Sequence, residues 1–225
     1  MSTAHASATG AVDGSLATPP RWRGRLHLMA LGASLPAGAW LLLLADGLAE
    51  ILAGGVFALA LCVLFAVSSS YHLRPWRAGL RRWIKALDHS MIFVFTVSTN
   101  AAVAVLALDP PWGLYLLAAL IGGAALGIAL KLLDPDADRR VTDVLYLAVG
   151  WGGVAILPRL LAGLDVPQTV LLFGGGVCYT AGAVVLSIGR PDPAPRVFGY
   201  HEVGHSLMLA GQASHYAVIA LLLAG

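Results

Sequence analysis

Charge is scarce in this chain. Only 12% of its 225 residues are Asp, Glu, Lys or Arg, about half the roughly 25% usual for a soluble domain. With 58% hydrophobic residues and a mean hydropathy of +0.80, that scarcity excludes a domain dissolved in water. The formal net charge of +2 is too small to attract nucleic acid, so no nucleic-acid partner is expected. Cysteine is scarcer still. Cys62 and Cys178 both lie in apolar runs, which leaves no disulfide framework and no cysteine metal knuckle; both should pack as small hydrophobes. Residues 1–20, "MSTAHASATGAVDGSLATPP", lack the apolar content to bury a core and are expected to be a disordered tail. They also lack the basic start and apolar core of a cleavable signal peptide.

Long apolar runs are what the chain has instead. Seven segments, 27–45, 49–73, 86–108, 112–132, 141–163, 167–188 and 197–224, approach or exceed the roughly 20 residues needed to cross a bilayer. The expected fold is an all-α integral membrane protein, a seven-transmembrane helix bundle occupying residues 21–225, with no soluble domain left over. The joints are short and marked by charge, Pro or Gly: "RPWRAGLRRWIK", "DPP", "LDPDADRR", "LDVP" and "RPDPAPR". With seven spans the joints alternate sides, and every Lys and Arg except Arg159 then falls on one side. Asp46, Glu50, Asp109 and Asp165 collect on the other. Basic residues are retained in the cytoplasm, so the N-terminus is expected inside, the C-terminus outside, and the protein in the cell inner (plasma) membrane. Pro158, beside Arg159, should kink or end the fifth span near its outer face.

An ionisable group inside a span is a functional hypothesis by default, because its burial must be offset by a partner or a task. His72 ends the second segment, with Ser68 one turn deeper on the same side. Asp88 and His89 open the third, and His201 and His205 lie in the first turns of the seventh. The topology places all of them in one layer near the cytoplasmic face. Residues i and i+4 stack on one helix face about 6 Å apart along the axis, so His201 and His205 can offer their rings to a single ion, with His72 as a third donor. Three protein ligands and a water make a catalytic zinc site, whereas structural sites are usually closed by four ligands. Asp88 then suits the holding of that water and the acceptance of its proton, with Ser68 as a hydrogen-bonding neighbour. His5 and His27 read as interfacial or satisfied polar residues. His89 points away from Asp88 and reads as an outlying or interfacial residue. His215, ten residues beyond His205 and so about 15 Å further along the axis, should bond a neighbouring helix. The string "HEVGH" also matches H-E-x-x-H, in which Glu202 would act as the general base of an intramembrane metalloprotease.

Three clusters, "SSSYHL" in the second segment, "LDHSMIF" opening the third and "FGYHEVGHSLMLAG" in the seventh, together resemble the haemolysin III family. That family is the bacterial branch of the progestin and adipoQ receptor group, related to alkaline ceramidases. The resemblance covers residues 20–225. It implies seven helices and a zinc ion held by histidines matching His72, His201 and His205. It also implies an aspartate matching Asp88 that holds the zinc-bound water, with a serine matching Ser68 beside it. Two departures concern the substrate pocket. Where the bacterial branch often has Gly-Thr-Tyr-Thr-Pro, this chain reads Ser98-Thr99-Asn100-Ala101-Ala102, and Gly204 stands where a bulky aromatic is frequent.

The expected activity is zinc-assisted hydrolysis of a lipid amide such as that of a ceramide-like lipid, with membrane lipids as partners. Alternatives are a lipid-sensing receptor with structural zinc, an intramembrane metalloprotease and a cytolytic protein. A resident bundle with its basic residues fixed on one side argues against the last. The glycine runs Gly122–Gly127 and Phe173–Cys178 read as close internal helix packing.

Overall fold

The computed structural model describes residues 19–134 and 139–225. The expected tail therefore lies, apart from Pro19 and Pro20, outside the described residues, as does His5. Among the described residues eight α-helices follow one another: α1 Arg25–Leu44, α2 Leu48–Leu73, α3 Ala78–Ala107, α4 Trp112–Leu133, α5 Arg139–Gly150, α6 Leu157–Gly163, α7 Val166–Ile188 and α8 Tyr200–Ala224. A 3-10 turn, Gly152–Ile156, joins α5 to α6. The described residues contain seven stretches long and apolar enough to cross a membrane, the fifth being Val141–Gly163, across that break. The seven-helix expectation holds.

The surface of the bundle is far more apolar than that of a soluble protein, over a core that is also largely apolar. Leu43, Leu48, Leu133 and Val166 are each more than 70% exposed, while Ser34, Ser68, Ser69, Ser90, Ser98, Thr99, Thr142 and Gln212 are buried. Soluble monomers rarely show wide apolar patches; a lipid-facing surface needs one. The buried hydroxyls are satisfied largely within their own helices, as where Ser90 donates to the Ala86 carbonyl at 2.8 Å and Thr99 to that of Phe95 at 2.9 Å. Such back-bonding satisfies a hydroxyl where no water is present.

Two element boundaries differ from expectation. α3 begins at Ala78, inside the basic joint, so Asp88 lies about three turns into that helix and does not open it. Arg81, Arg82 and Lys85 lengthen the helix on its polar face while Leu80 and Trp83 are exposed on the other. The fifth span breaks earlier than Pro158 alone requires. Gly150, Gly152 and Gly153 weaken the helix first, and Pro158 then removes the ladder donor to Val154. α6 starts with Pro158 in its first turn, where a missing N–H costs nothing.

α8 is the bundle's organiser: it packs against α1, α2, α3 and α7. Its contact with α7 is a close backbone approach, since a Cβ on Gly204 would fall 2.6 Å from Leu186 Cγ and one on Gly211 would fall 2.9 Å from the Gly175 carbonyl oxygen. The space an aromatic would need at position 204 is therefore filled by α7. Gly123 and Gly127 likewise face Val149 and Phe93, as internal packing requires.

Candidate metal centre

The site is assembled from chain ends that meet at one end of the bundle. Trp22 and Arg21 donate backbone hydrogen bonds to the carbonyls of Val197 and Arg196, both at 3.1 Å, tying the approach to α1 beside the approach to α8. The start of α8 is fixed by its own third helical residue: Glu202 Oε2 accepts the Gly199 N–H at 2.9 Å, satisfying one of the orphan donors of a helix N-terminus. Its other oxygen, Oε1, accepts from Arg23 Nε at 2.7 Å. Asp192 Oδ1 adds a hydrogen bond from the Tyr200 N–H at 2.9 Å. These contacts set the register at which α8 presents His201 and His205.

α2 delivers His72 to the same place. Gly24, with φ +75°, lets the chain pass within contact of it; a Cβ there would lie 2.7 Å from His72 Cβ. His72 Nε2 and His201 Nε2 are 3.4 Å apart, and one donor atom from each of His72, His201 and His205 lies within 4.8 Å of the other two. Among the described residues this is the group of three or more His, Cys, Asp or Glu that could hold a metal ion. Two nitrogens bound at about 2.0–2.1 Å to a tetrahedral ion stand about 3.3 Å apart, so the His72–His201 spacing fits such an ion without rearrangement. All-imidazole donors suit zinc and neighbouring transition metals, not calcium or magnesium.

α3 supplies the carboxylate. Asp88 Oδ2 is 3.9 Å from His72 Nε2, too long for a direct hydrogen bond and near enough for the carboxylate to reach a water beside that nitrogen. Ser68, 2% exposed, stands beside the same carboxyl group. All five residues picked out by spacing therefore converge.

The remaining histidines divide. His215 bonds the Leu172 carbonyl on α7 at 3.0 Å, the helix-to-helix role expected of it. The backbone carbonyl of His89 accepts from Tyr146 Oη at 3.1 Å. His27 departs from expectation: it is 4% exposed, and its Nε2 lies 2.9 Å from His205 Nδ1. A lone histidine near a helix start carries no spacing signal, and proximity to a residue 178 positions away is created only by the fold. A cavity of about 10 Å³, close to the least space a water needs, is lined by Trp22, Gly24 and His27 together with His201 and His205. A larger one, about 50 Å³, lies beside the broken fifth span and is lined by Thr99, Asn100, Trp151, Phe173 and His215 among others. The departure at residues 98–102 thus falls on a cavity wall.

Comparison with known proteins gives the family. The family model described as "Haemolysin-III related" matches residues 17–216. The chain belongs to that family. It is 24% identical over 193 residues to the "Hemolysin-3 homolog" of Bacillus subtilis (strain 168), covering 84% of this chain and 87% of that protein. It is also 24% identical over 158 residues to "Hemolysin-3" of Bacillus cereus, covering 70% and 69% respectively. This haemolysin III-related chain is a multi-pass membrane protein with three histidines able to hold a metal ion.

Proposed function

We propose that this protein is a zinc-dependent membrane hydrolase acting on a lipid amide of ceramide-like type, from a site near the cytoplasmic face. The observation that carries the reading is Asp88. Its carboxylate is brought by a third helix to 3.9 Å from His72, next to Ser68, within reach of a water at the histidine cluster. His72, His201 and His205 would hold the ion. When bound, zinc supplies Lewis acidity, which lowers the pKa of water to about 7 and offsets charge developing on an attacked carbonyl oxygen.

The protein's own groups do the rest. Asp88 Oδ2 orients a water toward the substrate carbonyl carbon and takes its proton; the same carboxyl then returns that proton to the departing amine nitrogen. Ser68 hydrogen-bonds the carboxyl and holds its orientation. Exposed apolar helix faces admit a substrate from the lipid phase, and the buried position of the cluster limits water to what the carboxylate holds. The cytoplasmic placement rests on the basic residues of the α1, α2–α3 and α7–α8 approaches, which share the histidine end of the bundle.

The protease reading loses its general base. Both Glu202 oxygens are engaged, one by Arg23 and one by the Gly199 N–H, so the carboxylate of "HEVGH" serves the helix start. The test is elemental analysis of detergent-purified protein with a lipid-amide hydrolysis assay. About one zinc per chain with hydrolysis lost in Asp88→Ala supports the reading. Stoichiometric zinc without turnover on any lipid amide leaves a receptor-like protein with structural zinc.

A further inference from the structure

His27 lies outside the three-donor group, yet it is more deeply buried than the histidines in it. Its ring sits between two neighbours: Phe65, with centroids 5.4 Å apart, and His205, with centroids 4.3 Å apart and the nitrogen contact of 2.9 Å. An imidazole has two nitrogens, and a neutral ring bound to a metal through one carries its proton on the other. His205 Nδ1 faces His27, which leaves Nε2 to join His72 and His201.

We infer that His27 is a positioning residue for the metal centre: its Nε2 accepts the Nδ1–H of His205 and holds that ring with Nε2 turned to the ion. The inference rests on the three-histidine metal reading.

The alternative acceptors for that N–H are already committed. Metal-bound histidines usually donate to a carboxylate, a backbone carbonyl or a water. The carboxylate three residues before it on the helix, Glu202, is held by Arg23 and the Gly199 N–H. The carbonyl one turn back is that of His201, engaged in the α8 ladder. The imidazole that the bundle supplies from another helix lies within hydrogen-bond distance of that N–H, and accepting at Nε2 leaves the His27 proton on Nδ1, a buried nitrogen with no hydrogen-bond partner among the described residues. His27 is not a fourth ligand, because the donor group with all separations within 4.8 Å consists of His72, His201 and His205 among the described residues. The position of His27 is itself secured by the backbone bonds of Arg21 and Trp22 to Arg196 and Val197, which fix α1 against α8 just before it.

The experiment uses purified full-length protein loaded with zinc, and in parallel with cobalt. His27→Phe keeps a ring of similar size and removes both nitrogens. Its zinc affinity, read by competition with a chelator, should fall about 10–100-fold, and the visible spectrum of its cobalt form should shift. His27→Gln, whose amide oxygen reaches the place of Nε2, should restore most of the affinity and the parental spectrum. A folded His27→Phe protein with parental affinity and parental cobalt spectrum overturns the assignment. Wild-type protein with 15N-labelled histidine gives a check that needs no variant: zinc on Nε2 of His205 with Nδ1 protonated supports it, and zinc on Nδ1 overturns it. Wild-type protein that takes up no zinc overturns the three-histidine reading and the His27 role together. Zinc in the wild type with an indifferent His27→Phe overturns the His27 role alone.

Discussion

Arg23 and Glu202 are 179 residues apart in the chain and 2.7 Å apart in space. The contact joins the approach to the first helix with the first turn of the last one, and it decides what Glu202 does. The carboxylate is 2% exposed and the guanidinium 24% exposed, so the pair is only partly screened by solvent. Removing Arg23 strands a buried charge, which costs more than the pair itself gains.

Arg23→Met should therefore destabilise the bundle by about 1.5–3 kcal/mol, the range for a hydrogen bond to a charged group. Adding Glu202→Gln should recover part of that loss, because glutamine's oxygen can still accept the Gly199 N–H while leaving no charge behind. Thermal unfolding of the four proteins of this double-mutant cycle in detergent measures it; additive losses would show that the two residues do not interact.

His72→Ala, His201→Ala and His205→Ala should each release most of the metal and lower the thermal midpoint of the zinc-loaded protein, since bound ligand stabilises only the folded state. His215→Ala removes a hydrogen bond to the Leu172 carbonyl, should cost about 1 kcal/mol, and should leave zinc content unchanged. Elemental analysis of the four variants separates them. Stoichiometric zinc retained in all three ligand variants would sink the site.

Asp88→Asn should keep the metal and lose hydrolysis by about 10²–10⁴-fold, the usual contribution of a positioned base. Asparagine keeps the shape and removes the proton acceptor. Metal content and turnover measured on one preparation test this, and unchanged turnover would remove Asp88 from the chemistry.

Much of the site was legible because its chemistry imposes spacing. His201 and His205 stack at i and i+4, Ser68 and His72 do the same, and an ionisable group in an apolar run announces itself. His27 carried no such mark: one histidine at a helix start has no periodic partner, and its contact with His205 exists only after α1 and α8 pack. Glu202 was visible but ambiguous, since H-E-x-x-H and a helix-start glutamate are the same letters until Arg23 and Gly199 are seen around it. The early start of α3 was hidden by charge. Arginines and lysines that orient the protein in the membrane are also good helix formers, and the helix runs through them to Ala78. The break in the fifth span was half legible, in Pro158 but not in the glycines before it.

Gly24 tests whether the approach to α1 holds the site as well as the helix. Two effects operate there. Its φ of +75° costs a residue with a side chain about 1–2 kcal/mol, and a Cβ would lie 2.7 Å from His72 Cβ and 3.0 Å from Leu73 Cγ. The Cβ of His72 is fixed to its backbone and cannot swing aside, so α1 or the end of α2 must shift. Gly189 supplies the control: its φ is +69°, but nothing lies within 4 Å of the Cβ it lacks. Both Gly24→Ala and Gly189→Ala should lower the thermal midpoint through backbone strain. Only Gly24→Ala should also weaken zinc binding, by about tenfold, because a displacement of a few tenths of an ångström at His72 spoils the 3.4 Å spacing to His201. Chelator competition on the two variants reads the difference. Equal zinc affinity in both would mean that the approach to α1 packs beside the metal centre without setting its geometry.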